Sequence, residues 1–300
     1  MKKYDIIILT DRRYLDFSNP APYVQNVLKE DTYIREALEE EGLKTGRLSW
    51  DDANFDWSQT KAVLFRTTWD YFDRFDEFSA WLDKVSKQTR LLNSETIIRW
   101  NLDKRYFLDL EAKGIYCTPT RFIEKNEKTS LKELHSQTGW EETVLKPCVS
   151  GSSRDTFKLN PSIIEDHEAV FKELIQKKAM MLQPFQQNIV LKGEISIMVM
   201  GGEFSHAVLK VAKAGDFRVQ DDFGGSVQLY HPTEEEIAFA ENTVKVCSDE
   251  LPSYARVDIF TDNDGNLALA ELELIEPELW FRICPNAAKL LAAYIKKTHF

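Results

Sequence analysis

Apolar residues recur along this chain in two periods, every second position in short runs and every third or fourth in longer ones, and the switches between them mark its elements. Tyr4–Thr10 is a short apolar run that predicts a buried strand. Asp31–Gly42 has helical spacing, with Asp31 placed as cap and Gly42 as terminator. A strand followed by a helix opens an α/β layer. Ala62–Thr67 predicts a second buried strand, the stretch from Asp76 to Lys87 a helix, Leu91–Asn93 a third strand, and Ile97–Ala112 a long helix that ends at Gly114. Beyond it the pattern predicts strands at Thr118–Lys125, Thr143–Val149 and Met180–Phe185, separated by helices at Leu131–Thr138 and Glu165–Lys178. Two hairpins follow: Glu194–Met200 with Glu203–Val211 about Gly201-Gly202, and Tyr254–Thr261 with Leu267–Ile275 about an Asp/Asn/Gly turn. Between them lie a glycine-bounded loop over 213–226, read as a mobile lid or a surface excursion, and a helix opened by a capping box of Thr233 and Glu236. A helix from Pro285 to Lys297 closes the pattern, and soft boundaries near residues 100 and 185 divide the chain into 1–100, 101–185 and 186–300.

Composition makes this an ordinary globular protein. With 300 residues, 43% of them hydrophobic, the chain can bury more than one core, which fits two or three domains. Its formal charge of −11 disfavours nucleic-acid and anionic-membrane partners without forbidding one local basic pocket. Any anionic ligand must then be held by a few placed cations. Cys117, Cys148, Cys247 and Cys284 stand far apart with no CxxC pair, so neither a zinc site nor a disulfide framework is signalled, and a reduced cytoplasmic compartment is expected. The apolar run near Met1 is too short for a signal-peptide core, and no other stretch approaches a membrane span.

The second hairpin carries the wrong residues for a plain core. Side chains alternate across a strand, so Arg256 and Asp258 share one face of its first strand and Glu271 and Glu273 one face of its second, with Ala268, Ala270, Leu272 and Leu274 opposite. If the turn sets both charged faces on one side, three carboxylates repel one another around a guanidinium, an arrangement that makes sense around a hard divalent cation such as Mg²⁺. A solvated face with cross-strand ion pairs accounts for the same pattern. Lys146 stands in the middle of an apolar strand, where a charge is costly unless it points into a polar pocket. Ser150, Gly151, Ser152, Ser153 and Arg154 follow it. Small residues let backbone N–H groups curl about an anion, although Ser/Gly clusters also make plain turns. Neither GxxxxGK[ST] nor GxGxxG is present. Pro184, at the end of its strand, interrupts the ladder and frees main-chain groups to meet a ligand. Ligands of open α/β sheets gather outside the carboxyl ends of the strands, which makes Asp11, Arg66, Trp69, Asp70 and Tyr71 candidate substrate contacts, with Arg66 suited to a carboxylate. The alternative for Trp69 and Tyr71 is packing under a loop.

Taken in order, Lys104, Lys146, the Ser150–Arg154 loop, Gln183–Phe185, Glu194, the GDFRVQ…GG loop and the RVD…ELE hairpin resemble the ATP-grasp superfamily, in its branch of prokaryotic glutathione synthetases, D-alanyl-D-alanine ligases and cycloserine-pathway ligases. The resemblance runs from about Asn101 to Ala288 and covers the first hundred residues only in architecture. It implies an α/β (α+β) ATP-grasp fold, with an amino-terminal, Rossmann-like open α/β domain followed by two α+β subdomains that clasp ATP. It implies that Lys104 and Lys146 hold the α- and β-phosphates under the Ser150–Arg154 loop, that Gln183, Pro184 and Phe185 offer main-chain hydrogen bonds to adenine, and that Glu194 takes the ribose hydroxyls. Asp258, Glu271 and Glu273 would bind two Mg²⁺ ions, with Mn²⁺ as a substitute. Arg256 would stabilise the transition states, and Arg218 would meet the γ-phosphate or an acyl phosphate. Relatives commonly have Asn at the last metal position, where this chain has Glu273.

The implied reaction is carbon–nitrogen ligation driven by ATP, in which a carboxylate becomes an acyl phosphate and an amine displaces phosphate, on small amino-acid or peptide-like substrates. Relatives are often dimers or tetramers, so a homodimer is the expected assembly. The need for cations stands without the family: ATP brings about four negative charges, and transfer of its γ-phosphoryl group requires them spread. No Ser/His/Asp or Cys/His nucleophile set is evident, which fits a ligase whose covalent intermediate forms on the substrate. A small-molecule kinase on the same nucleotide site and a non-catalytic nucleotide-binding protein are the competing readings.

Overall fold

The computed structural model describes residues 2–15, 20–151, 153–213, 215 and 224–300. Strands β1 (Tyr4–Thr10), β2 (Thr45–Ser49), β3 (Thr60–Thr67) and β4 (Arg90–Leu92) pair in parallel in the order β2-β1-β3-β4. Ile6 and Ile8 of β1 enter one core and Ile7 and Leu9 another, which is why the strand reads as an unbroken apolar run. Helix α1 (Pro22–Glu40) covers the first face and α2 (Phe75–Val85) the second. The helix expected to start at Asp31 thus begins at Pro22, whose missing N–H belongs to the orphaned first turn in any case. Asp31 lies buried inside the helix, paired with Arg47 at 2.7 Å.

The single helix expected over Ile97–Ala112 is two, α3 (Glu95–Asn101) and α4 (Tyr106–Ala112). The break has local causes. Asp103 Oδ1 accepts from the Arg105 N–H at 2.9 Å, and the Lys104 N–H leaves the helix to bond the Cys148 carbonyl at 2.9 Å. Lys104 therefore sits at a kink that turns it inward.

The second sheet is antiparallel, in the order β5-β8-β6-β7: β5 (Arg121–Ile123), β6 (Thr143–Pro147), β7 (Phe157–Leu159) and β8 (Met180–Pro184). Helices α5 (Leu131–Ser136) and α6 (Glu168–Lys177) back it. Past α7 (Gln187–Lys192), a third, antiparallel sheet runs β11-β10-β9-β12-β13, from β9 (Glu194–Met200), β10 (Glu203–Val211), β11 (Ser226–Tyr230), β12 (Tyr254–Thr261) and β13 (Leu267–Glu273). Helix α8 (Glu234–Cys247) opens with the expected reciprocal capping box and packs on this sheet beside α4. Strands β2, β7 and β11 and helix α7 are not announced by the hydrophobic pattern, because each is short and held by pairing with a neighbour rather than by its own apolar stripe. Among the described residues no helix is long and apolar enough to cross a membrane.

Helix α9 (Asn286–His299) returns to lie on α1, so Ile6, Ile8 and Leu64 share a core with Tyr254, Met198, Leu291 and Ile295. The first and third sheets are also stitched by polar groups. The Tyr254 hydroxyl lies 2.7 Å from the Ile275 carbonyl and 3.1 Å from that of Leu92. The Asn93 amide donates to the Tyr254 and Leu274 carbonyls at 2.9 and 2.8 Å, and its oxygen accepts the Ser253 N–H at 2.6 Å. Asn93→Ala orphans three buried main-chain groups and should lower stability by roughly 2–4 kcal/mol in a urea titration. A loss below about 0.5 kcal/mol would place the strength of this seam in the apolar contacts alone.

Candidate functional site

The second hairpin builds the floor of the site. Arg256 stands opposite Glu273 and Asp258 opposite Glu271, so the two charged faces coincide. A bulge at Ala270 then shifts the register, pairing Ile259 with Leu269. Leu269, rather than the expected Ala268, joins Leu272 and Leu274 on the apolar face, while Ala270 faces the cleft.

The carboxylates on this floor do not confront one another bare, because cations from all round the cleft are interleaved with them. Asp258 pairs with Arg256 at 2.9 Å and with Lys210 at 3.0 Å, and the Ser196 hydroxyl donates to it at 2.5 Å. Arg256 also reaches Glu273, and Lys210 reaches Glu194. Lys104 pairs with Glu271 at 2.9 Å and donates to the Ser150 carbonyl at 2.8 Å. Lys146 lines the same cleft and has no ion pair or hydrogen bond among the described residues. Lys210 escaped the sequence reading, yet it carries the signal that singled out Lys146: a lysine inside an apolar strand, here directly across from Glu194.

Burial and charge act against each other on these groups. Burial alone would raise the Asp258 carboxyl, but Arg256 and Lys210 outweigh it and hold the group near 2. Lys104 and Lys146 do the same for Glu271, whose pKa is lowered. Burial pushes Glu273 up to about 7, with Glu271 and Asp258 adding to it against Arg256. Burial lowers Lys146, and neighbouring Lys104 lowers it further.

These side chains line a cavity of about 280 Å³. Gln183, Pro184 and Phe185 form one wall, with Lys158 Nζ 3.6 Å from the centre of the Phe185 ring and paired with Glu142 at 2.9 Å. The main-chain groups of Phe185 are not left free by Pro184: its N–H bonds the Glu142 carbonyl and its carbonyl accepts from Asn263 Nδ2, both at 2.9 Å. Asn263 Oδ1 also accepts the Gln187 N–H at 2.9 Å, so the hairpin turn clasps the strap between the second and third sheets. Ser150, Gly151 and Ser153 cover another side. Gly151 is required there, since a Cβ would lie 2.7 Å from the Phe72 ring. Arg154 leans on the same ring at 5.3 Å and pairs with Asp73. Ser152 and Arg218 lie outside the described residues.

Of the candidate substrate contacts, Trp69 and Tyr71 line the cavity, and Trp69 Nε1 donates to the Glu276 carbonyl at 2.9 Å. Asp11, Arg66 and Asp70 do not line it. Asp11 caps a short turn and pairs with Arg13 at 2.7 Å. Asp70 accepts from Trp50 Nε1 at 2.7 Å and from Arg74 at 2.8 Å. Arg66 alternates toward α1, only 1% exposed, with its guanidinium 5.4 Å from the centre of the Phe281 ring and its Nε and Nη1 without hydrogen-bond partners among the described residues.

A family model described as the ATP-grasp domain of prokaryotic glutathione synthetase matches residues 111–270, and one described as the N-terminal domain of D-cycloserine synthetase DcsG matches residues 6–93. The chain belongs to the ATP-grasp family. Cycloserine biosynthesis protein DcsG of Streptomyces lavendulae is 31% identical over 260 residues, covering 82% of this chain and 86% of that protein. The crystal structure of D-cycloserine synthetase DcsG superposes with a TM-score of 0.86 at 26% identity, over 98% of this chain and 99% of that one. D-alanyl-alanine synthetase A from Vibrio cholerae shares the fold at a TM-score of 0.69 and 14% identity, over 99% of each chain. This ATP-grasp chain is an ATP-dependent, amide-forming carbon–nitrogen ligase acting on small-molecule substrates.

The donor set of the ATP-grasp floor suits a hard cation, since Asp258, Glu271 and Glu273 present only oxygen. Among the described residues no three His, Cys, Asp or Glu side chains stand close enough to enclose an ion by themselves.

Two predictions follow from this geometry. Glu273 near 7 and Glu276 near 8 keep protons in the folded chain that unfolded carboxyls lose near 4.5. Their contribution to the stability of the ligand-free protein is therefore full below about 4.5 and is lost as pH rises toward 8. Urea midpoints across this range should fall with pH, and Glu276→Gln should flatten the slope; an unchanged slope would remove Glu276 from the account. Asn263→Ala should raise the KM for ATP several-fold with kcat within about two-fold, because it loosens the strap and leaves the charged floor intact.

Proposed function

We propose that this ligase activates a small carboxylic acid as an acyl phosphate, with ATP and Mg²⁺, and delivers it to an amine, on amino-acid or peptide-like substrates. The observation that carries the reading is the convergence of Lys104, Lys146, Lys210 and Arg256 with Asp258, Glu271 and Glu273 around one cavity. Bound Mg²⁺, two ions or Mn²⁺ in their place, would supply neutralisation of the charge on the phosphate oxygens. Asp258, Glu271 and Glu273 would hold it, and in doing so would hand their present cation partners to the nucleotide.

Lys104 and Lys146 face the α- and β-phosphates in this reading, and the partnerless state of Lys146 suits it to receive one. Arg256 and Lys210, deepest on the floor, stabilise charge on the transferring group. Ser150–Ser153 cover the phosphates, Gln183–Phe185 flank the base, and Glu194 turns to the ribose. Trp69 and Tyr71 exclude water from the acyl phosphate, whose hydrolysis would otherwise compete with the amine. The three separate sheets support a division into 1–100, 101–185 and 186–300, with α4 and Cys117 sharing the core of the third. The name of the Streptomyces relative, a cycloserine biosynthesis protein, supports an amino-acid-derived substrate. The unpaired cysteines support a cytoplasmic setting.

The test is release of ADP and phosphate from Mg-ATP across amino acids and dipeptides, offered singly and in pairs, with product masses. A product lighter by one water than its precursors is expected, and a phosphorylated substrate would indicate a kinase instead. Asp258→Asn should cut kcat by about 10²–10³-fold, and chelation of the metal should abolish turnover. Full activity in Asp258→Asn would sink the metal assignment.

A further inference from the structure

The cavity has two chemically different ends. One holds the paired cations and carboxylates. The other lies between the amino-terminal layer, which contributes Tyr23, Trp69, Tyr71 and Phe72, and the segment after β13, which contributes Glu276. Every carboxylate at the first end has a cation beside it: Glu194 and Asp258 have Lys210, Glu271 has Lys104, and Glu273 has Arg256. Glu278, just past Glu276, pairs with Arg282. Glu276 has no ion pair among the described residues; its carboxyl meets the neutral Tyr71 hydroxyl and its own main-chain N–H, with Lys104 acting on it from further off, and its carbonyl accepts from Trp69 Nε1 at 2.9 Å. A carboxyl facing a cavity beside aromatic rings, with no ion pair among the described residues, can take a cationic group of a ligand as its partner.

We propose that Glu276 is a specificity-determining residue that binds the ammonium group of the substrate, so that this ligase takes acids carrying a free amine, an α- or β-amino acid, in preference to plain carboxylic acids. The proposal rests on the ligase reading above and names the substrate class of the same site. The ring faces of Trp69 and Tyr71 favour a cation electrostatically, and a primary ammonium offers three donors, enough to meet a carboxylate oxygen and face a ring at once. The main-chain bond from Trp69 gives Glu276 a fixed position on the wall that the amino-terminal layer supplies. The protein lowers the pull of this carboxyl when the cavity holds no amine, since burial first and Glu273 second push it up to about 8. An ammonium beside it restores the ionised form. Placed between Glu276 and the cation-rich end, an amino acid would point its carboxylate toward Lys104 and Arg256, where phosphoryl transfer takes place.

The test is calorimetric binding to the full chain saturated with Mg-AMPPNP, using matched pairs of probes: alanine of either hand against propionate, and serine of either hand against 3-hydroxypropionate. Wild type should prefer the amino member of at least one pair by roughly ten-fold or more, the range of a charged hydrogen bond. Glu276→Gln, which keeps the shape and the Tyr71 contact, should bring that preference to within about two-fold, and Glu276→Asp should recover part of it. Thermal melts of both variants report on folding, and the Asp variant keeps the test valid if the Gln variant does not fold. No preference in any wild-type pair, or a preference that survives Glu276→Gln, overturns the proposal. So does a Glu276→Gln protein that keeps the preference and instead loses affinity for Mn²⁺, which would make Glu276 a metal ligand. Failure of wild type to bind Mg-AMPPNP is a separate outcome, and it would count against the nucleotide reading itself.

Discussion

The structure depends on the need to neutralise buried charge on one face of one hairpin. Asp258 is 2% exposed and cannot sit there as an anion without Arg256 and Lys210, and Lys210 cannot be buried without Asp258 and Glu194. Breaking such a pair from one side leaves an uncompensated charge, with a loss of several kcal/mol. The requirement reaches beyond the hairpin. Lys210 comes from the neighbouring β10, Lys104 from the kink between α3 and α4, and Lys146 from β6 of a different sheet. Charge balance therefore ties the second and third sheets to one geometry.

The amino-terminal sheet enters through different physics. It is attached to the third sheet by apolar burial under α9 and by uncharged hydrogen bonds from Asn93 and Tyr254, none of which involves the charged floor. What it gives the cavity is a wall of aromatic rings, joined to the floor at the Trp69 bond to Glu276. The charged groups and the aromatic rings thus stand on separate walls. The Gly151 contact with Phe72 and the Arg154 pair with Asp73 link them, since they rest the loop that carries them on the amino-terminal layer.

Much of this was legible along the chain. The strand faces of Arg256, Asp258, Glu271 and Glu273 follow from a period of two, and the discord of Lys146 in an apolar strand marked the cleft before any geometry was known. Less legible were features set by partners distant in sequence. Lys210 became meaningful only opposite Glu194, and Asp31 falls inside α1, buried against Arg47, rather than at its start. Asp11, Arg66 and Asp70 stand at strand ends as a binding residue would, but Arg13, Trp50 and Arg74 claim the two carboxylates, and the pleat aims Arg66 at α1.

The sequence by itself determined the element types, the family and the charged face, because these depend on local periodicity and on residue chemistry read in order. The tertiary structure alone decided which charges meet, where the register shifts at Ala270, and that Glu276 faces the cavity with no ion pair among the described residues. Those are properties of distances between segments far apart in the chain. Burial makes such distances count, since an ion pair or an unanswered carboxylate weighs little in water and heavily once the folded sheets have excluded it.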